Sequence, residues 1–239
     1  MRVVERLAGV EQLEGVVSGF AAARDGIDTM LRDRGLRATA PELTAESLLR
    51  GAHASAVLAG SASSLDDVRR GEGDATAQAS LRVSVELLGL APVLTRTPVQ
   101  ALARLHTLAA AGTVPAERLG RPRDAAALAR LREALSVLDD DRPALLTAAV
   151  LHAEVVTGEP FGSADGLVAR AAERLVLVAS GLDAKSLLVP EAGHLAHRAA
   201  YESNLRGYAT GGRAGLQAWL VYCAEAYSAG AEASPLRGG

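Results

Sequence analysis

From residue 97 onward the chain is punctuated for helices. Thr97 stands before Pro98 as an N-cap stands before a first-turn proline, Val99, Leu102, Leu105 and Leu108 follow at turn spacing, and Gly112 closes the segment. Asp124 is placed to cap a second helix whose apolar face is Leu128, Leu131, Leu135 and Leu138. Asp141 and Pro143 open a third over 144–157, ended by Gly158, and a fourth covers 166–180, ended by Gly181. Residues 191–227 read as two further helices broken near Gly211 and Gly212. Upstream, 43–58 reads as a helix, 66–70 as a short turn of helix, 71–74 as a loop and 77–88 as a helix. No alternating β-branched run bounded by turn residues occurs, so the expected fold class is all-α.

Charge and cysteine content narrow the function classes. The formal charge is −3, with 25 basic and 28 acidic residues interspersed, which does not describe a nucleic-acid-binding surface. Cys223 is the only cysteine, so a disulfide framework and a cysteine-rich zinc site are excluded. Glu5 and Arg6 fall where a secretory leader has its apolar core, and no uncharged apolar run reaches ~18 residues, so the expectation is a cytoplasmic protein with no membrane partner. A homodimer through an apolar helix face stays open.

Most chemistry-bearing residues read as structure. Gly71 and Gly73 lack the third glycine and the preceding strand of a dinucleotide fingerprint. The zinc-protease, P-loop and nucleophile-elbow motifs are absent. His53, His106 and His152 sit at packed helical positions. His194 and His197 lie one turn apart, two imidazoles with no carboxylate or cysteine beside them, which is a poor metal site. Trp219, Tyr222 and Tyr227 read as core anchors and Cys223 as an inert core residue.

One segment stands apart: Glu159, Pro160, Phe161, Gly162, Ser163, Ala164, Asp165, Gly166, Leu167, Val168, Ala169, Arg170. It is a short interhelical loop running into a helix N-terminus, where free N–H groups and the helix dipole favour an anion. Gly166 lets backbone approach a ligand, and Arg170, one turn in, lies within reach of an anion there.

This segment resembles the signature of the Fic (Fido) family of nucleotide-dependent transferases, His-Pro-Phe-x-Asp/Glu-Gly-Asn-Gly-Arg-x-x-Arg, position for position. The resemblance extends over about 95–230: Leu105-His106 and Gly120 to Arg123 resemble segments preceding the motif, Ala148 to His152 the helix before it, and Tyr201 and Trp219 the closing helices. Ser55, Ala59 and Gly60 resemble the family's Ser-x-x-x-Glu-Gly inhibitory segment. The implied architecture is a Fic-like helical bundle core at 95–230, an N-terminal helical extension at 1–94 carrying a degenerate inhibitory-type segment near 55–60, and a disordered tail at 231–239.

The departures from the signature fall on the chemistry. Glu159 replaces the histidine that acts as general base, Ser163 the acid that holds Mg²⁺, Asp165 the asparagine, and Leu167 the first arginine, whereas Pro160, Phe161, Gly166 and Arg170 are kept. Three replacements make the loop more negative and one makes it less so, a net change of −2. At roughly 1 to 4 kcal/mol for two unit charges a few ångströms apart, that change opposes a polyanion. At the inhibitory glutamate's place stands Ala59. The resulting expectation is a binding or regulatory pseudoenzyme that has lost AMP transfer and has a protein partner. The alternative is an altered nucleotide-dependent transferase acting on a protein hydroxyl, with Glu159 as base, Asp165 as Mg²⁺ ligand, and Gly166 and Arg170 as the nucleotide contacts.

Overall fold

The computed structural model describes residues 3–32, 41–139 and 141–237, and among them no strand occurs. Twelve α-helices follow in order: α1 Val3–Arg6, α2 Val16–Arg32, α3 Pro41–Leu58, α4 Leu65–Arg70, α5 Ala75–Arg96, α6 Pro98–Ala110, α7 Ala125–Leu135, α8 Ala144–Gly158, α9 Asp165–Ala179, α10 Pro190–Ala196, α11 Arg198–Thr210 and α12 Gly212–Glu232. The fold is all-α, as the punctuation requires.

Helices α8 and α9 form the axis. Helix α8 buries Leu145, Leu146, Val150, Leu151 and Val155, and α9 is buried along nearly its whole length. A helix that is apolar all round must be enclosed on every side, and each such side chain contributes about 1.5–3 kcal/mol when taken from water. Helices α5 and α6 cover one side of α9, while α11, α12 and α2 enclose α8 from the other. Helix α3 lies across α5 and α10 and touches α9. Glycines permit the tightest crossing, because a Cβ on Gly193 of α10 would meet the Ala226 carbonyl of α12 at 1.9 Å.

Most expected boundaries hold to a few residues. Asp124 accepts from the Ala127 N–H, as a cap should. Thr97 does not cap α6; its hydroxyl bonds back to the Val93 carbonyl at 3.3 Å, ending α5 instead. Helix α2, which carries no clear cap or breaker in the sequence, adds to the expected elements. The span 191–227 holds three helices, because the chain also breaks at His197, with no glycine or proline there to mark it.

One hydrophobic cluster runs from Val3 through α5 and α9 to Ala231, and α5 itself spans 94/95, so the N-terminal helices pack into the same core. Within the expected disordered tail, α12 continues to Glu232, Pro235–Arg237 form a 3₁₀ turn, Ser234 and Pro235 are buried, and Arg50 donates to the Ala233 carbonyl. Gly238 and Gly239 lie outside the described residues. Helix α5 is long and apolar enough to cross a membrane by composition, but in this fold it packs against α3, α6 and α9.

Candidate ligand site at the start of α9

The motif loop is braced from within. Glu159 follows α8 in left-handed backbone, φ 42°, with its side chain exposed and 3.8 Å from the Arg123 guanidinium. Ala164, φ 53°, is also left-handed and leads into α9 without a side-chain cap. The Pro160 carbonyl accepts from the Arg123 N–H at 2.9 Å. Asp165 Oδ1 accepts from the Phe161 N–H at 3.0 Å. Burial pushes the Asp165 carboxyl up to about 6, against the pull of the Phe161 and Gly162 amides.

Phe161 is buried and stacks on the His106 ring, centroids 4.3 Å apart and nearly parallel. His106 Nδ1 accepts from the Gly120 N–H at 3.0 Å, so the neutral ring carries its proton on Nε2, which donates to Ser163 Oγ at 3.1 Å. In that tautomer His106 cannot take a proton from Ser163. Burial also holds the imidazole below its ordinary pKa, so the pair is a brace and not a nucleophile with its base.

A cavity of about 420 Å³ opens beside the α9 N-terminus. Its walls are mainly apolar, with Leu58 and Ala59 from the end of α3 facing Gly166 and Leu167, and Asp165 supplies its only carboxylate among the described residues. The N–H groups of Asp165, Gly166 and Leu167 have no acceptor among the described residues, as expected of an uncapped first turn.

Arg170 borders this cavity but is turned away from it. Its Nε donates to Ser55 Oγ at 2.8 Å, Nη2 to the Ser55 carbonyl at 2.9 Å and Nη1 to the Tyr201 hydroxyl at 3.2 Å, and the residue is buried. Gly166 makes room for it, since a Cβ there would lie 3.3 Å from Nη1. Ala59 and Gly60 are exposed at the end of the same turn.

Behind Arg170 lies a closed polar core. Tyr201 meets His152 Nε2 at 3.0 Å, His152 Nδ1 meets Glu173 Oε2 at 2.7 Å, and His194 Nε2 lies 3.0 Å from the same oxygen. Tyr227 donates to Glu173 Oε1 at 2.8 Å, and Tyr222 meets His194 Nδ1 at 2.8 Å. Burial opposes charge on Glu173, but the His194 and His152 rings outweigh it and hold the carboxyl well below its usual range. Burial draws His152 down to about 4, so its neutral ring donates from Nδ1 and accepts from Tyr201.

His152, Glu173 and His194 are close enough together to suggest a metal site. Their mutual contacts are hydrogen bonds of 2.7–3.1 Å, and no buried side-chain polar atom among the described residues lacks a partner. The lone pairs that a cation would need are already engaged.

The structure therefore gathers Ala59, Asp165, Gly166 and Arg170 around one cavity, with Ser55 holding Arg170 at its edge, and leaves Glu159 outside it, facing solvent. His194 does have a carboxylate beside it, Glu173, but its partner ring is His152, while His197 is exposed. Glu173 is 21 residues from either histidine, so local spacing does not connect the three. The available signal was Arg170, Glu173 and Arg174 recurring on one face of an otherwise apolar segment.

No protein-family model matches the chain, and no curated protein matches it. A solved structure does: a Fic family protein from Desulfovibrio desulfuricans, 16% identical, superposes with a TM-score of 0.74 over 92% of this chain and 74% of that one. The chain has the Fic fold.

Proposed function

We propose that this Fic-fold chain works by binding, as a regulatory protein, and does not carry out AMP transfer. The observation that carries the reading is the closure of Arg170 onto Ser55 and Tyr201, which commits the one cation that borders the cavity among the described residues. The other candidate groups agree. Glu159 faces solvent, the Asp165 carboxyl holds loop amides, and Ser163 accepts from His106.

The donor set does not fit Mg²⁺. That ion takes about six oxygen ligands in near-ideal octahedral geometry, and among the described residues the cavity offers one carboxylate, which already accepts from the Phe161 N–H. A triphosphate finds apolar walls in place of guanidinium groups.

One observation favours the alternative, an altered transferase with Glu159 as base: the three uncommitted N–H groups at the start of α9 are suited to an anion. A thermal-shift panel of nucleoside triphosphates and CDP-choline, with and without Mg²⁺, on wild type and Arg170→Ala, separates the two readings. The binding reading expects no labelled nucleotide or phosphoryl transfer to itself or to lysate proteins. Labelled product that vanishes in Glu159→Ala overturns it.

A further inference from the structure

The motif loop follows the C-terminal end of α8, and a second cavity, of about 440 Å³, opens at the other end of that helix. It shares no lining residue with the cavity beside α9. Val10, Val16 and Phe20 wall it from the N-terminal segment, Leu145 and Leu146 from the first turn of α8, and Leu182 from the turn after α9. These walls are held from behind by Tyr227. Its hydroxyl lies 3.2 Å from the Leu145 carbonyl, and its ring centroid is 6.3 Å from that of Phe20. On α2 the apolar surface continues outward through Ala21 and through Val17, which the fold leaves 55% exposed.

The charges at the rim differ in their commitments. Arg24 Nε is held by Asp28 at 2.9 Å, and Arg142 Nη1 donates to the Leu7 carbonyl at 3.2 Å. Glu11 and Asp141 are exposed and make no ion pair or side-chain hydrogen bond among the described residues. The uncommitted charge at the mouth is therefore negative. A mainly apolar pocket of roughly 300 to 1,000 Å³ with a few polar groups is the usual form of a small-molecule site, the walls holding the body of the ligand and the polar groups fixing its orientation. An aromatic ring such as Phe20 also attracts an ammonium placed over its face.

We infer that this cavity is a second ligand site and takes a small organic cation, its aliphatic or aromatic body seated between α2 and the start of α8 and its ammonium group beside Glu11 and Asp141. A fatty carboxylate fits the same walls but meets two unpaired acids at the mouth, and a bare polyamine leaves the apolar walls unused. The inference goes beyond the binding function proposed above and stands whether or not the cavity beside α9 takes a ligand.

The test is isothermal titration calorimetry of the full chain with octyltrimethylammonium, octanoate and tetramethylammonium. The double variant Glu11→Gln/Asp141→Asn is compared with Glu117→Gln/Glu225→Gln, which changes the net charge equally at exposed acids away from this cavity, and with Ala21→Trp, which fills the mouth from the exposed side of α2, after circular dichroism shows all three folded. Octyltrimethylammonium that binds more tightly than the other two probes, weakens about tenfold in Glu11→Gln/Asp141→Asn, keeps its affinity in the control pair and is lost in Ala21→Trp supports the site. No binding of octyltrimethylammonium, equal or tighter binding of octanoate, equal loss in the two double variants, or unchanged binding in Ala21→Trp overturns it.

Discussion

The Arg170 guanidinium closes on Ser55 twice, through Nε to the hydroxyl at 2.8 Å and Nη2 to the carbonyl at 2.9 Å. In the family the chain resembles, that arginine is restrained by a glutamate one turn further on. Here that position is Ala59, and Ser55 itself makes the contacts. Ser55→Ala removes one acceptor from a buried charge and is expected to lower stability by about 1–3 kcal/mol in urea unfolding. It also loosens Arg170, so a thermal shift with ATP is expected to be larger in Ser55→Ala than in wild type. Identical shifts would mean that Ser55 does not restrain the arginine.

Glu173 accepts from His152, His194 and Tyr227. A carboxamide must turn its NH₂ toward at least one of these donors. Glu173→Gln is therefore expected to cost about 3–5 kcal/mol by chemical denaturation. A loss under about 1 kcal/mol would show that the donors find other acceptors and that Glu173 does not organise the core.

Two left-handed residues without a glycine's freedom stand at the two ends of the loop between α8 and α9, Glu159 and Ala164. Left-handed backbone costs a side-chain-bearing residue roughly 1–2 kcal/mol, and the long contact from Glu159 to Arg123 is exposed and offsets little of it. Glu159→Gly and Ala164→Gly are each expected to stabilise the protein by about 1 kcal/mol. Destabilisation by either would contradict this account of the loop.

Asp165 and His152 pull the pH dependence in opposite directions. Between about pH 4 and 6 Asp165 is ionised in the unfolded chain, where its pKa is about 3.9, but still largely protonated in the fold, so its contribution falls as pH rises. His152, held at about 4, binds its proton in the unfolded chain up to about pH 6.5, so its contribution rises over the same window. Asp165→Asn removes only the first effect. Its stability relative to wild type is expected to climb by about 2 kcal/mol from pH 4 to pH 6.5, read from unfolding curves at each pH. A constant difference would mean that Asp165 titrates normally.

Local signals made much of the architecture legible. Asp124, Gly112 and Gly181 mark helix ends through capping and left-handed turns, and these depend on neighbours in the chain. His197 breaks a helix with no such mark, and α2 is held by its burial against α12, which only the assembled fold supplies. The candidate site divides the same way. The twelve-residue segment from Glu159 to Arg170 located the loop, yet the direction in which Arg170 points depends on Ser55, 115 residues earlier. The motif's register puts Glu159 at the base's position, and a left-handed cap after α8 turns its side chain toward solvent.

Trp219, the chain's one tryptophan, is fully buried with its indole N–H on the Ala149 carbonyl. The His152 ring meets it edge-on at 5.5 Å, and the His194 ring lies nearly parallel at 6.2 Å. Every photon of tryptophan emission from this protein thus originates beside the histidines that support Arg170. Protonation or displacement of either ring alters the indole's surroundings directly, so the state of the arginine's support can be followed optically in the unlabelled chain.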